Sequence, residues 1–150
     1  METKPQILVM QGPNLNMLGK REPDIYGSLT LEELNFELDA RAALLGLELR
    51  HFQSNHEGAL IDKLHACYNR MLGIIINPGG FTHTSVALRD ALVIHTCPKI
   101  EVHISNIHKR EEFRHVSLIA DIVSARMEGF GTFGYHLALE GLAEMLASTA

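Results

Sequence analysis

Short apolar runs alternate with amphipathic stretches along the chain, and the two periods assign an element to most segments. The runs QILVM (6–10), LELRHF (47–52), GIIIN (73–77) and KIEVHI (99–104) are strand-sized. IIIN is β-branched and continuous, the pattern of a strand covered on both faces. Between these runs the period lengthens. Leu31, Leu34, Leu38, Ala42 and Leu45 recur at helical spacing behind the capping-box pair Thr30 and Glu33, and Gly46 closes the segment. The spacing predicts further helices over 56–72, with Leu60, Leu64, Cys67 and Met71 on one face, over 83–95, and over 133–147, where Tyr135, Leu139, Leu142 and Leu146 recur.

The segment 117–131 is the least periodic. SLIADIV is compatible with a helical turn, while SARMEGFG alternates as a fifth strand ending at Gly129 and Gly131. With that strand, the order of elements predicts an α/β fold, a mostly parallel sheet with helices on both faces. Five strands fit the flavodoxin-like order 2-1-3-4-5. Residues 1–150 are expected to form one domain. Ligands of such sheets sit beyond the carboxyl ends of the strands, at the switch point, so the segments after strands 1, 3 and 4 should carry the chemistry.

Composition narrows the partners. Hydrophobic residues make up 46% of the chain, enough for a sizeable core, and the net charge is −5. There is thus no basic field for nucleic acid or for an acidic membrane, and an anionic substrate needs a local cluster of cations. No apolar run approaches the roughly 20 residues of a membrane span, and METKPQILVM lacks a signal-peptide core. The two cysteines, Cys67 and Cys97, stand in apolar, helix-like contexts and read as reduced core thiols of a cytoplasmic protein. The nine histidines form no H-x-x-x-H or H-E-x-x-H spacing, so no metal site is expected.

The three polar segments fall where the fold predicts. After strand 1, QGPNLNMLGKREPDIYG (11–27) turns at Gly12 and Pro13, offers the amides of Asn14 and Asn16, and carries Arg21 and Tyr26 on a long connection. After strand 3, NPGGFTHTS (77–85) places Asn77 and His83 near one mouth. Gly79 and Gly80 there expose backbone N–H groups before a helix, an arrangement that suits an anion. No Lys follows, so this is not a Walker loop. After strand 4, EVHISNIHKREEFR (101–114) sets Glu101 and His103 two apart, on one face of the strand. A carboxylate beside an imidazole fixes its tautomer and favours its protonated form, which makes a proton donor; the bland alternative is a solvated pair on an edge strand. Ile104, Ser105 and Asn106 end the strand with groups able to hold a carboxylate, and Arg114 is a candidate clamp for an oxygen-rich end of a ligand.

Arg21 and Tyr26 complete the set. A free phenol, with a pKa of about 10, is a poor base at neutral pH. A nearby guanidinium in a site that has shed water lowers it, and Arg stays charged throughout. On a mobile flap, the phenolate forms beside its target only when the flap closes. An Arg-activated base, an imidazole acid and anion-holding groups suit proton abstraction next to a carbonyl, followed by loss of a hydroxyl as water.

With these residues in place the chain resembles the type II 3-dehydroquinate dehydratases, or type II dehydroquinases. The resemblance runs over GPNLNMLGKREPDIYG, FQSNHEG (52–58), INPGGFTHTSVALRDAL (76–92) and EVHISNIHKREEFR in order, and so covers essentially the whole chain. It implies a flavodoxin-like fold and conversion of 3-dehydroquinate to 3-dehydroshikimate and water in the shikimate route, by anti elimination through an enolate, without cofactor or Schiff-base lysine. It implies that Tyr26 removes the C2 proton and that Arg21 activates it. Asn14 and Asn77 stabilise the enolate, Asn14 through a bound water. His103 protonates the departing C1 hydroxyl, oriented by Glu101. Asn77, His83, Ile104, Ser105 and Arg114 contact the substrate. By the same resemblance Asp90 would reach a neighbouring subunit's site in a homododecamer of four trimers; the bland alternative pairs it with Arg89 or another surface cation.

Departures are few. Gln11 stands where many members have Asn. Residues 115–129 match loosely, with Arg126 and Glu128 on one face of the expected fifth strand, where a polar or subunit-facing side would accommodate them; neither departure falls on a carried-over catalytic position. A flavin- or nucleotide-binding module of the same fold is the rival reading. It lacks an aromatic pair to sandwich a flavin and an acid placed for a ribose. A non-catalytic scaffold leaves the concurrence of Arg21, Tyr26, Asn77, His83, His103 and Arg114 without explanation.

Overall fold

Five strands form one parallel sheet: β1 (Gln6–Gln11), β2 (Glu48–Gln53), β3 (Gly73–Asn77), β4 (Lys99–His103) and β5 (Ala125–Glu128). Their order is β2-β1-β3-β4-β5, with every neighbouring pair parallel, the doubly wound arrangement of flavodoxin-like folds. Among the described residues, four helices of eight or more residues accompany them: α1 (Leu31–Leu44), α2 (Glu57–Ala66), α3 (Val86–Val93) and α4 (Phe133–Ser148). The computed structural model describes residues 3–20, 24 and 27–149.

Strand alternation divides the interior into two cores. Ile7, Val9, Ile75, Ile100 and Val102 point to one face and pack with Leu34, Leu38 and Ala42 of α1 and Tyr135, Ala138, Leu139 and Leu142 of α4. Leu8, Met10, Ile74 and Ile76 point to the other, against Leu60 and Leu64 of α2 and Leu88, Ala91 and Leu92 of α3. All five residues of β3 and all five of β4 are buried, as central strands with helices or turns on both faces require. The edge strand β5 is half-buried throughout.

Local signals explain most boundaries. Thr30 Oγ1 accepts from Glu33 N at 3.2 Å and caps α1, and Gly46, at φ 75, ends that turn. The second helix stops at Ala66, short of the predicted 72, because Cys67 and Tyr68 tighten the last turn and Asn69 takes a left-handed φ of 58. The third begins at Val86 and not at 83. Residues Gly79–His83 form a 3-10 turn, and Ser85 Oγ accepts from Leu88 N to start the α-helix. SLIADIV is a run of turns under the sheet, with Ile119 fully in the second core. Both cysteines are free thiols, but Cys97 lies in the bend before β4 and not in a helix.

Two glycines allow backbones to approach. A Cβ on Gly12 would lie 2.2 Å from Pro78 O, where the loops after β1 and β3 are tied by Gly12 N donating to Asn77 O at 2.7 Å. A Cβ on Gly19, which has φ +79, would lie 2.7 Å from the carbonyl oxygens of Ser28 and Leu29. The chain thus leaves the site at residue 19 and returns against the same point.

Candidate active site

The carboxyl ends of β1, β3 and β4 open into a cavity of about 270 Å³ lined by residues of all three following loops. Asn14, Asn77, His83, His103, Ile104, Ser105 and Arg114, all singled out from the sequence, line it, together with Gly79, Gly80 and Arg110. Among the described lining residues there is no Asp or Glu, so a chain of net charge −5 presents a locally basic recess. Asn16 lies apart, lining a separate recess with Lys20 and Thr30. Arg21 and Tyr26 lie outside the described residues.

Glu101 and His103 sit on one face of β4, as period two requires, but they are not a solvated edge pair. Glu101 has no exposed surface and His103 is 7% exposed, with β4 held between β3 and β5. His103 Nε2 lies 2.5 Å from Glu101 Oε2. A carboxylate accepts, so Nε2 carries the proton in that bond and Nδ1 is the nitrogen left for other partners. Thr82 Oγ1 and Ser117 Oγ also donate to Oε2, at 2.7 and 2.8 Å, and Arg126 Nε donates to Oε1 at 2.9 Å. Burial would raise this carboxyl's pKa. The hydrogen bond and charge of His103, with the hydroxyls of Thr82 and Ser117, outweigh it and hold the group at about 2. Glu101 is thus a carboxylate at any working pH.

Arg126 and Glu128 share one polar face of β5, as period two requires. Arg126 binds Glu101 itself, and its Nη2 donates to Glu128 Oε2 at 3.2 Å.

Asn77 is 4% exposed and held at both ends. Its Oδ1 accepts from Gly79 N at 3.0 Å and its Nδ2 donates to Tyr135 Oη at 2.8 Å. Tyr135 Oη in turn donates to Gln11 Oε1 at 2.7 Å. One amide N–H of Asn77 remains for a ligand. The same bonds revise the view of the glycine pair: the Gly79 N–H is already used, and a 3-10 turn stands where a helix start was expected. Burial pushes the Tyr135 phenol well up, against the smaller effects of its bonds to Asn77 and Gln11, so it stays neutral.

Asn14 has a left-handed backbone, φ 71, and its N–H donates to Asn55 Oδ1 at 2.9 Å. Gln53 Nε2 holds the same corner by donating to Gly12 O and to Asn55 Oδ1, both at 3.2 Å. His83 Nδ1 lies 2.8 Å from Val116 O; a carbonyl only accepts, so Nδ1 carries the proton. Arg114 Nε donates to Glu111 Oε2 at 2.7 Å and its guanidinium stacks 5.2 Å from the Phe113 ring centre. Asp90 is exposed on α3 and does not line this cavity. The bland pairing with Arg89 does not form, because Arg89 binds Asp121 and Leu118 O instead.

Sequence reasoning missed the supporting residues Thr82, Ser117, Arg126, Tyr135, Gln53 and Asn55, and the cavity-lining Arg110. Gln53 and Asn55 stood in FQSNHEG, Thr82 in INPGGFTHTSVALRDAL and Arg110 in EVHISNIHKREEFR, while Arg126 stood out only as a departure and Tyr135 only as a core position of the last helix. No group of three or more His, Cys, Asp or Glu side chains among the described residues is arranged to hold a metal ion.

The comparisons agree with this geometry. Residues 5–143 match the family described as Dehydroquinase class II. The 3-dehydroquinate dehydratase of Halothermothrix orenii is 53% identical over 141 residues, 94% of this chain and 95% of that protein. The catabolic 3-dehydroquinase 2 of Neosartorya fischeri is 54% identical over 136 residues, 91% of each. The crystal structure of type II dehydroquinase from Butyrivibrio crossotus superposes with a TM-score of 0.89 at 45% identity, covering 94% of this chain and 99% of that one. A match of this extent, over a sheet whose strand ends carry the same polar segments, places the chain in the class II dehydroquinase family.

Proposed function

We propose that this chain is a 3-dehydroquinate dehydratase, a hydro-lyase that removes water from 3-dehydroquinate to give 3-dehydroshikimate in the shikimate route. The observation that carries the reading is the buried Glu101–His103 pair at the wall of a cavity with Arg110 and Arg114 on its rim. A carboxylate-bearing substrate suits that rim, and an imidazole with one nitrogen fixed by Glu101 can turn the other toward a leaving hydroxyl.

In the proposed reaction Tyr26, its phenol made more acidic by Arg21, takes the C2 proton. The electron pair moves into the C3 carbonyl to give an enolate, which the remaining N–H of Asn77 and a water held by Asn14 stabilise. The enolate then collapses as the C1–O bond breaks, and His103, acting as the imidazolium, gives its Nδ1 proton to the departing hydroxyl, which leaves as water. The Tyr26 phenol then returns its proton through solvent to the imidazole, which restores phenolate and imidazolium for the next turnover. His83, Ile104, Ser105 and Arg114 hold the substrate. The other tyrosines support the choice of base: Tyr135 is committed to Asn77 and Gln11, and Tyr68 packs edge-on to His95.

Asp90 is read as reaching a neighbouring subunit's site in a homododecamer of four trimers. Val86, Asp90 and Val93 share one exposed face of α3, with the valines 58% and 53% exposed, an apolar surface that a subunit contact would cover. No helix among the described residues is long and apolar enough to cross a membrane, and the protein is read as cytoplasmic.

The deciding experiment adds 3-dehydroquinate to the purified protein in a chelator-containing buffer and follows the enone absorbance of the product. A steady rise that depends on enzyme concentration is expected; a flat trace overturns the reading. Sedimentation of the same sample tests the assembly.

A further inference from the structure

In the register of β4 and β5, Arg126 stands beside Glu101 and Glu128 beside His103. Neighbouring residues of a parallel pair point to one face, so an edge-strand cation and anion flank the buried pair directly. Arg126 bridges the two carboxylates through Nε and Nη2, at 2.9 and 3.2 Å. Glu128 Oε1 then meets His108 Nδ1 at 3.2 Å, on the exposed side of the row. From the cavity outward, groups of opposite character alternate: imidazole, carboxylate, guanidinium, carboxylate, imidazole.

A carboxylate with no exposed surface needs compensation at every stage of a reaction cycle. On the proposed mechanism His103 is an acid, so any positive charge it carries leaves with its proton at each turnover. Thr82 and Ser117 donate hydrogen bonds to Glu101 but bring no charge. A guanidinium stays protonated throughout. Among the described residues, Arg126 is therefore the cationic partner of Glu101 that persists through the cycle. Its bond to Oε1 also fixes the carboxylate plane, leaving Oε2 aimed at Nε2 of the imidazole.

We infer that Arg126 is a positioning residue for the acid. By holding Glu101 as an oriented carboxylate after the proton has gone, it makes His103, and not Glu101, the group that gives and regains the proton. The inference rests on the acid role proposed for His103.

Arg126→Met, Arg126→Lys and His103→Ala, assayed side by side with melting curves, test it. Removing a charge-assisted hydrogen bond is expected to lower kcat about tenfold, equivalent to about 1.4 kcal/mol, in the Met variant. KM should stay within about twofold, since no substrate contact is lost. The Lys variant, which keeps the charge, should recover most of kcat. A Met variant with wild-type kcat overturns the inference. So does a Lys variant as slow as the Met variant with an equally lowered melting temperature, which would make the residue a structural prop. If His103→Ala is inactive while Arg126→Met is unimpaired, only the role of Arg126 falls. A His103→Ala enzyme at the wild-type rate removes the acid reading and this inference with it.

Discussion

Asn77 Nδ2 donates to the phenol oxygen of Tyr135 at 2.8 Å, so a residue on the last helix sets the orientation of an amide at the end of a central strand. The two are 58 positions apart. The same phenol donates to Gln11 at the end of the adjacent strand, so one hydroxyl ties the ends of β1 and β3 to α4.

Tyr135→Phe keeps the ring and removes only that hydroxyl. It leaves Asn77 and Gln11 each short of a partner at buried positions, which is expected to cost about 1–3 kcal/mol of stability. Urea unfolding measures the loss. Because Asn77 can then rotate, kcat/KM for 3-dehydroquinate should fall as well. An unchanged kcat/KM would mean that the amide is oriented without Tyr135.

Tyr26→Phe is expected to lower kcat by 10²–10⁴-fold, the usual contribution of a general acid or base. Its melting curve should be little changed. Turnover near the wild-type rate would remove Tyr26 from the proposed mechanism.

Glu101 gives the fold an acid limit. Its pKa is lowered from 4.5 to about 2 in the folded chain, so the group stabilises the fold fully above about pH 4.5. That contribution is lost as pH falls toward 2, where the folded form must also take up a proton. It amounts to something on the order of 3 kcal/mol. Unfolding free energies of the parent and Glu101→Gln at pH 6 and pH 3 should differ more at the higher pH. A constant difference would contradict the assignment.

Gly12→Ala places a methyl group against Pro78 O, at a distance of 2.2 Å before relaxation. Since both partners are backbone, the two loops must part. A destabilisation of about 1–3 kcal/mol is expected from such overpacking. Activity should fall with it, because the move displaces Asn14 and Gly79 from the cavity wall. A fully active, fully stable variant would show that the loops have more room than their contact implies.

The sequence was most legible where a single period decides the outcome. Positions 101 and 103 had to share a face, and β1, β3 and β4 stood out as apolar runs. Helix ends were less legible where short-range chemistry competed: the third helix was expected from 83, inside the GGFTH turn, whereas the cap that starts it is Ser85. The support around the site was least legible because it is non-local. That Arg126 meets Glu101 depends on how β5 registers against β4, and that Tyr135 meets Asn77 depends on where α4 crosses the sheet. Neither follows from spacing along the chain. Arg126 was visible as an oddity in a loosely matching segment, but its partner was not.

The contact between Gly19 and the carbonyls of Ser28 and Leu29 has a consequence for how such a protein can vary. Both stems of the intervening stretch are anchored at one place, so adding or deleting residues between them leaves the sheet and the acid undisturbed. The entropy of closing such a loop rises only slowly with its size. Length changes there are therefore expected to act on the proposed base, Tyr26, which lies within the stretch, and to leave the stability of the rest of the molecule nearly unchanged.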